Sequence, residues 1–237
     1  MKADNPIILS ILIPVLNEEG TIGHLLQHLQ QQAAHKGSLE VLVIDGGSAD
    51  ATVQIAEIHG ATVVHSEKGK AKQMNKGATY AKGSILYFLH ADTFPPAHFD
   101  TAITAAVKKG EKAGCFRLQF NSPSWFLSFF SWFTRFNVPL CRGGDQSLFI
   151  TKKLFTELEG FNEAYRIYED NEFIGRLYRQ ASFTVLPQEV LTSARKYEAN
   201  GTWVLQYHFT VVHLKKFFGA PPEKLYAYYH KNIQSQM

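Results

Sequence analysis

The chain has 237 residues, 45% of them apolar and 19% charged, which is enough for one large α/β domain with a complete core. The net charge of +3, without a block rich in lysine or arginine, argues against a nucleic-acid partner. No run approaches the ~20 apolar residues that span a bilayer. The sequence therefore predicts a cytoplasmic protein, soluble or attached at most to the cytoplasmic face of a membrane. Cys115 and Cys141 lack metal-ligand spacing and are expected to be two buried thiols in a reducing compartment.

The first half of the sequence alternates strand-like and helix-like segments. The first segment, 7–15, is continuously apolar, as in a strand covered on both faces, and Ile22, Leu25, Leu26 and Leu29 then repeat at helical spacing. Strands are expected at 7–15, 40–44, 61–65 and 84–89, and helices at 22–29, from a cap at Asp50 to 57, and at 70–81. This order predicts a parallel sheet with right-handed crossovers, whose ligands bind beyond the carboxyl ends of its strands.

The second half has a looser pattern and a strongly aromatic segment at 125–136. Helices are expected at 98–109, 152–159 and 169–180, strands at 113–120 and 147–150, a loop at 142–146 and a short strand at 183–187. A helical tail follows from Trp203, with a break at Pro221 and Pro222. Because there is no internal repeat and no low-complexity linker, one domain spanning 1–237 is the simplest organisation.

Polar side chains recur where the predicted strands end. Asn17 and Glu18 follow the first strand, Asp45 follows the second and Asp92 follows the fourth. Helix capping could explain one such residue, but capping does not require three carboxylate positions on one rim of a sheet. The pattern therefore predicts a ligand site at this rim.

The residues around these positions resemble the donor half of family 2 glycosyltransferases. The resemblance covers roughly the first 190 residues. It rests on three ordered segments, which are 11–19 (ILIPVLNEE), 43–50 (VIDGGSAD) and 88–92 (FLHAD). It implies an α/β fold of GT-A type: a Rossmann-like, mostly parallel sheet flanked by helices, with a helical C-terminal tail. Segments 69–77 and 143–146 also resemble a bacterial subgroup associated with arsenosugar-type glycosylation.

The resemblance implies a donor half at about 1–112, an acceptor and catalytic half at about 113–198 and a tail at about 199–237. In the donor half, Pro14, Asn17 and Glu18 would border the nucleoside of a nucleoside diphosphate sugar. Asp45 would accept hydrogen bonds from the base or ribose. Lys72 would lie near the base or the diphosphate, unless it is a solvated helix lysine.

His90-Ala91-Asp92 stands where the family usually has Asp-x-Asp. By this resemblance Asp92 would contact a divalent cation, Mn²⁺ or Mg²⁺, that bridges the diphosphate oxygens. His90 is open to three interpretations: a second ligand, a residue that positions a ligand, or a residue that only closes the strand. Imidazole suits Mn²⁺ better than Mg²⁺.

By the same resemblance, Asp170 would be the general base that deprotonates an acceptor hydroxyl during a single, inverting displacement. Glu169 would lie beside it on the acceptor side, with Gly144 and Asp145 in the preceding loop. Arg195 would contact the diphosphate. The segment 193–197 replaces the Gln-x-x-Arg-Trp motif of processive relatives, which argues against a processive polysaccharide synthase.

The aromatic segment at 125–136 and the helical tail do not decide which partner the protein binds. They could form core or a homodimer interface, or an interfacial surface that receives a hydrophobic or lipid-linked acceptor. Two other functions also stay open: an inactive nucleotide-sugar-binding or membrane-surface scaffold, and a nucleotidyltransferase. A dehydrogenase is disfavoured because no G-x-G-x-x-G follows a strand.

Overall fold

The structure is a computed structural model that describes residues 6–142 and 146–233. Its first half contains β1 (Leu9–Val15), α1 (Ile22–Gln32), β2 (Leu39–Asp45), α2 (Thr52–Ile58), β3 (Thr62–His65), α3 (Lys70–Tyr80) and β4 (Ile85–Phe88). The second half contains β5 (Thr93–Phe94), α4 (Phe99–Lys108), β6 (Ala113–Asn121), α5 (Trp125–Trp132), β7 (Leu148–Thr151), α6 (Lys152–Glu157), α7 (Glu169–Gln180), β8 (Thr184–Ser193), α8 (Arg195–Asn200), α9 (Thr202–Phe217) and α10 (Pro222–Asn232). Short 3₁₀ turns lie at Lys36–Ser38, Phe133–Arg135 and Pro139–Cys141.

The described strands form one sheet in the order β3-β2-β1-β4-β7-β6-β8-β5. The pairs β2–β3, β1–β2 and β1–β4 are parallel, as predicted for the first half. Strand β7 runs antiparallel to both β4 and β6, and β5 runs antiparallel to β8. The sheet is therefore mixed, with six strands in one direction, and the reversals all come from the second half of the chain.

Helices cover both faces of the sheet because its central strands are apolar on both sides. Every residue of β1 is buried. Ile11 and Ile13 join one core cluster with the buried side of α1 and α4, whereas Leu12 joins another with α3, α6 and α7. The result is a three-layer arrangement with the strand ends of β1, β2 and β4 at one rim.

Strand β8 is longer than the sequence predicted. The expected strand is 183–187, which ends at Pro187, a residue that cannot donate to a strand ladder. In the structure, Leu186 pairs with Phe116 and Glu189 with Arg117, so Pro187 and Gln188 are accommodated at a register shift. The strand then continues to Ser193, which carries the chain to the rim.

The tail forms three helices, α8 to α10, with the predicted break between α9 and α10 at Pro221 and Pro222. The inner side of α9 packs through Val212 onto Tyr165 and Leu225. No helix within the described residues combines the length and the apolar character needed to cross a membrane.

The prediction of two buried thiols is right for Cys115 and wrong for Cys141, which is only half-buried. Burial raises the pKa of Cys115 to about 11, although Arg142, which donates to its Sγ at 2.9 Å, acts in the opposite direction. The Cys115 thiol therefore stays neutral and belongs to the core.

Candidate active site

Asp45 ends β2 and organises the turn that follows it. Its carboxylate accepts hydrogen bonds from the backbone N–H groups of Gly47 at 3.1 Å and Ser48 at 2.9 Å, and His65 Nδ1 lies 3.5 Å away. Burial alone would raise the pKa of Asp45, but the hydrogen bonds from Ser48, Gly47 and His65 together lower it. Asp45 is thus an ionised carboxylate held at the rim.

Asn17 ties the loop after β1 to the loop after β2. Its N–H donates to Ser48 Oγ at 2.9 Å, and its Oδ1 accepts from the N–H of Ala49 at 2.9 Å. The residue adopts a left-handed φ of 54°, which asparagine tolerates better than most residues. Pro14 lies deeper, buried within β1 and paired with Ile44. Asn17 therefore fixes the shape of the rim between Asp45 and the β1 loop.

Arg195 joins two of the predicted site carboxylates. Its guanidinium donates to Glu18 Oε2 at 3.0 Å and Glu18 Oε1 at 2.7 Å, and its Nε lies 3.3 Å from Asp92 Oδ2. The hydrogen bonds to Glu18 and the charge of Asp92 raise the pKa of Arg195 against the opposing effect of burial. A permanently charged guanidinium thus bridges the ends of β1 and β4, a bidentate geometry that also suits phosphate oxygens.

His90, Asp92 and Asp170 lie at the same rim. His90 Nε2 is 4.0 Å from Asp170 Oδ2, and Lys70 Nζ is 3.4 Å from His90 Nδ1. The side chains of Glu18, His90, Asp92 and Asp170 are each between 16% and 22% exposed, so all four are accessible but largely sheltered. The structure therefore brings the predicted metal residues and the predicted base into one cluster.

The start of α7 holds two adjacent acids in different environments. Glu169 is 4% exposed and its Oε2 has no hydrogen-bond partner among the described residues, whereas Asp170 faces the His90 side of the rim. The positive end of the helix macrodipole favours both carboxylates. Tyr168 precedes them with a φ of 70°, and its hydroxyl contacts His213 Nδ1 of α9 at 2.9 Å.

Two residues near the rim, Lys70 and Gln73, were not expected from the sequence. Lys72 forms an ion pair with Glu67, and it is Lys70 that reaches His90. Gln73 is buried and donates to the carbonyl groups of Val15 at 2.8 Å and Ile44 at 2.7 Å. A polar residue on the buried side of α3 was the signal for Gln73. The predicted acceptor residues Gly144 and Asp145 lie outside the described residues.

Within the described residues, no group of three or more His, Cys, Asp or Glu side chains is arranged as a complete metal site. Asp92 offers carboxylate oxygens and His90 an imidazole nitrogen, which is a donor set compatible with Mn²⁺. Cations of this kind commonly take only one or two protein ligands and complete their coordination with substrate phosphates and water. The residues present therefore fit a cation shared with a diphosphate, provided that Arg195 gives up its contact with Asp92.

Comparison with known proteins agrees with this fold. The family described as glycosyl transferase family 2 matches residues 10–183, which is most of the chain. The chain therefore belongs to glycosyl transferase family 2.

Individual relatives match over smaller or more distant regions. The 4,4'-diaponeurosporenoate glycosyltransferase of Staphylococcus aureus strain USA300 is 37% identical over 91 residues, which cover 35% of this chain and 24% of that protein. The structure of S. aureus TarS residues 1–349 with UDP superposes with a TM-score of 0.68 at 21% identity, covering 79% of this chain and 60% of that one. The Pyrobaculum calidifontis mannosyltransferase PcManGT, solved with GDP-Man and Mn²⁺, superposes with a TM-score of 0.70 at 20% identity. The match covers 95% of this chain and 70% of that one. These likenesses confirm the predicted GT-A type fold. The chain spans about a quarter of the curated relative and 60% of the TarS chain of residues 1–349.

Proposed function

We propose that the protein transfers a sugar from a nucleoside diphosphate sugar to an acceptor hydroxyl, with inversion of the anomeric configuration. The observation that carries the proposal is the cluster of Glu18, Asp92 and Asp170 at the carboxyl rim of the sheet, with Arg195 bridging the first two. In open α/β sheets ligands bind beyond this rim. The family match and the ligands named for related structures, the nucleotide UDP and the nucleotide sugars UDP-GlcNAc and GDP-Man, support the same donor class.

The nucleoside would occupy the side of the rim formed by the β1 and β2 loops. Asp45 keeps its two backbone hydrogen bonds, and its Oδ2, whose contact with His65 Nδ1 is long at 3.5 Å, can instead accept from a ribose hydroxyl or a base N–H. Asn17 keeps the loop after β1 in place, and Glu18 is the next residue of the same loop. Lys72 is 40% exposed and forms an ion pair with the exposed Glu67, so it can turn towards a bound phosphate.

The diphosphate would lie between Arg195 and Asp92. The carboxylates of Glu18 and Asp92 hold the guanidinium of Arg195 in this place. A diphosphate can replace these carboxylates as the bidentate partner of the guanidinium. Asp92, with His90 beside it, would then hold a divalent cation. Such a cation, when bound, supplies positive charge that stabilises the leaving diphosphate.

Asp170 would act as the general base. It would take the proton of the acceptor hydroxyl while the acceptor oxygen bonds to the anomeric carbon and the bond from that carbon to the diphosphate oxygen breaks. The side chain is 17% exposed and lies at the helix N-terminus, so it is reachable and favoured as a carboxylate. Because one displacement suffices, no second nucleophilic carboxylate is needed, in contrast to retaining hydrolases.

The acceptor is proposed to be hydrophobic or lipid-linked. One relative is named for its action on 4,4'-diaponeurosporenoate, although the match covers only 91 residues. The arsenosugar-type subgroup stays a prediction about the acceptor. An inactive scaffold or a nucleotidyltransferase is less well supported, because the rim offers a sheltered acid in the position of a base.

A binding screen tests the donor assignment. Thermal unfolding is followed with UDP- and GDP-sugars, each with and without Mn²⁺. Ligand at about 100 times its Kd adds about 2.7 kcal/mol, so the matching donor should raise the Tm by roughly 5–10 °C.

Asp92→Ala should lose the Mn²⁺-dependent part of this rise, whereas Glu57→Ala, which removes an exposed acid of α2, should keep it. If no nucleoside diphosphate sugar shifts the wild-type Tm, the donor site is wrong. If Asp92→Ala retains the full effect of Mn²⁺, the metal assignment is wrong.

A further inference from the structure

Helix α9 carries an uncovered apolar stripe on its outer side. Its inner side packs through Leu205 and Val212, which are fully buried or nearly so. On the opposite side, Trp203, Tyr207 and Leu214 follow one another at spacings of four and seven residues and are each at least half exposed. A surface helix normally turns polar residues outward, and a helix apolar all round is normally buried. The outer side of α9 is about 24 Å long at 1.5 Å per residue. It carries an apolar stripe where a surface helix usually has polar residues.

Helix α5 extends this stripe into a continuous surface. The ring of Phe126 lies 4.2 Å from that of Trp203 and 6.1 Å from that of Trp125, and Phe129 continues to Phe133 at 5.0 Å. We refer to the exposed side chains of α5, the turn Phe133–Arg135 and α9, ending at Phe217 and Phe218, as the α5–α9 face.

The α5–α9 face is larger than a soluble surface normally tolerates. Trp125, Trp203, Tyr207, Phe217 and Phe218 are each 64% to 82% exposed. At the usual area of an aromatic side chain, these five expose on the order of 700 Å². The largest apolar patch of a typical monomer is about 300–600 Å² and often marks a binding surface.

The charged residues within the two segments that form this face are all of one sign. Between Lys112 and Arg142, and again from 199 to 222, the sequence contains no Asp or Glu, although the whole chain has 21. Arg135 lies over the ring of Trp132 at 4.6 Å. A groove of about 450 Å³ between α9 and α10 is lined by Leu214 and Phe218 together with Lys215 and Lys224, and none of its described lining residues is acidic.

We propose that the α5–α9 face docks on the surface of an anionic lipid bilayer. Aromatic rings that insert at the interface, next to lysine and arginine that meet anionic headgroups, are the features of a surface-bound rather than a spanning segment. A second copy of this chain fits less well. A two-fold contact would bring the same cations of both copies together, and the face has no acids to pair with them.

The face is connected to the candidate active site through α8. Arg195 begins this helix and contacts Asp92, while Tyr197 packs on Phe120 at 5.4 Å and belongs to the same cluster as Phe126. A bilayer on the α5–α9 face would thus lie beside the rim, so the acceptor hydroxyl would belong to a lipid at the membrane surface. This last step rests on the proposed function, whereas the docking itself does not.

Vesicle flotation of the full chain tests the docking. The protein should float with phosphatidylcholine vesicles that contain phosphatidylglycerol, and much less with phosphatidylcholine alone. Binding should weaken at about 1 M NaCl, where the Debye length is near 3 Å. Replacing Trp203, Phe217 and Phe218 together by serine should lower the bound fraction at least tenfold, and Lys215→Glu with Lys224→Glu should remove the preference for the anionic lipid.

Matched controls replace exposed residues elsewhere. Ile58→Ser removes a side chain that is 73% exposed on α2, and Lys109→Glu reverses an exposed charge after α4. Both should bind vesicles like the wild type. Donor-induced thermal stabilisation serves as the separate readout of the proposed function, and the triple serine variant should keep it.

The docking is contradicted if the wild type fails to float with anionic vesicles, or if the triple serine variant floats equally well. It is also contradicted if sedimentation without lipid shows a stable dimer that the triple serine variant dissociates, because a second copy then covers the face.

Discussion

At the scale of single residues, the rim acids differ in what holds them. Asp45 anchors a turn of its own strand, whereas Glu18 and Asp92 are held through Arg195, which lies 177 residues beyond Glu18. The sequence could place Asp45, Glu18 and Asp92 because strand ends follow from local patterning. It could not predict that Arg195 bridges two of them, because that contact depends on how β8 and α8 return to the rim.

Lys70 and Lys72 illustrate the same limit. Both lie in the first turn of α3, and the sequence pattern alone does not say which side chain turns to the rim. In the structure the N-terminal one, Lys70, meets His90, and Lys72 pairs with Glu67. A resemblance over a short motif predicts the helix, but the orientation of a long side chain depends on neighbours from other segments.

Asp45→Asn tests the role of that carboxylate in the fold. The variant should be less stable than the wild type by about 1–3 kcal/mol at pH 7, because hydrogen bonds to a charged acceptor are lost. The folded-state pKa of Asp45 lies below its usual value, so its contribution is complete above about pH 4 and is lost as the pH falls through the lowered pKa. Urea unfolding between pH 7 and pH 3 should show the two proteins converging at the acid end.

The control for this variant is Glu57→Gln, which replaces an exposed acid of α2 and should leave stability unchanged. Equal stability of Asp45→Asn and wild type at pH 7 would show that the turn does not depend on the charge.

At the scale of elements, the sequence predicted the strands and helices of the first half together with their parallel pairing, whereas in the second half it predicted most elements but not how the strands pair. Strands β1 to β4 alternate with helices and pair with near neighbours, so periodicity was enough. The two-residue β5 is too short to leave a pattern. Strand β8 pairs with β6 on one side and β5 on the other, and these pairings across long separations are what continue it past Pro187.

The contact between β6 and β8 can be tested at Gly114. A Cβ at this position would lie 2.4 Å from the carbonyl oxygen of Thr184, so Gly114→Ala should force the strands apart. We expect a loss of about 1–3 kcal/mol in the free energy of unfolding, as is typical for overpacking.

The matched control is Gly175→Ala in α7, where an added Cβ meets nothing within 4 Å and should gain up to about 1 kcal/mol. A Gly114→Ala protein as stable as Gly175→Ala would contradict the close approach of the two strands.

At the scale of the whole molecule, one sheet crosses the boundary between the two proposed halves. Strand β4 of the donor half pairs with β7, and β7 pairs with β6 of the other half. The organisation as a single domain stays a prediction, and so does the cytoplasmic location.

The excess of aromatic residues, 13% of the chain, is explained in part by the α5–α9 face rather than by the core. The composition indicated an excess of aromatic residues. Only the packing of α5 on α9 shows which of the aromatic rings are exposed to solvent.

The central claim is that the rim with Asp170 is a site of sugar transfer, and one measurement tests it most directly. Release of nucleoside diphosphate from the stabilising sugar donor is followed with water as the acceptor, for the wild type and Asp170→Asn. The asparagine keeps the shape but cannot take the proton, so the rate should fall by about 10²–10⁴-fold while donor-induced stabilisation is unchanged. Glu198→Gln, an exposed acid on α8, should react like the wild type. A wild type that releases no nucleoside diphosphate, or an Asp170→Asn variant that releases it at the wild-type rate, would contradict the account.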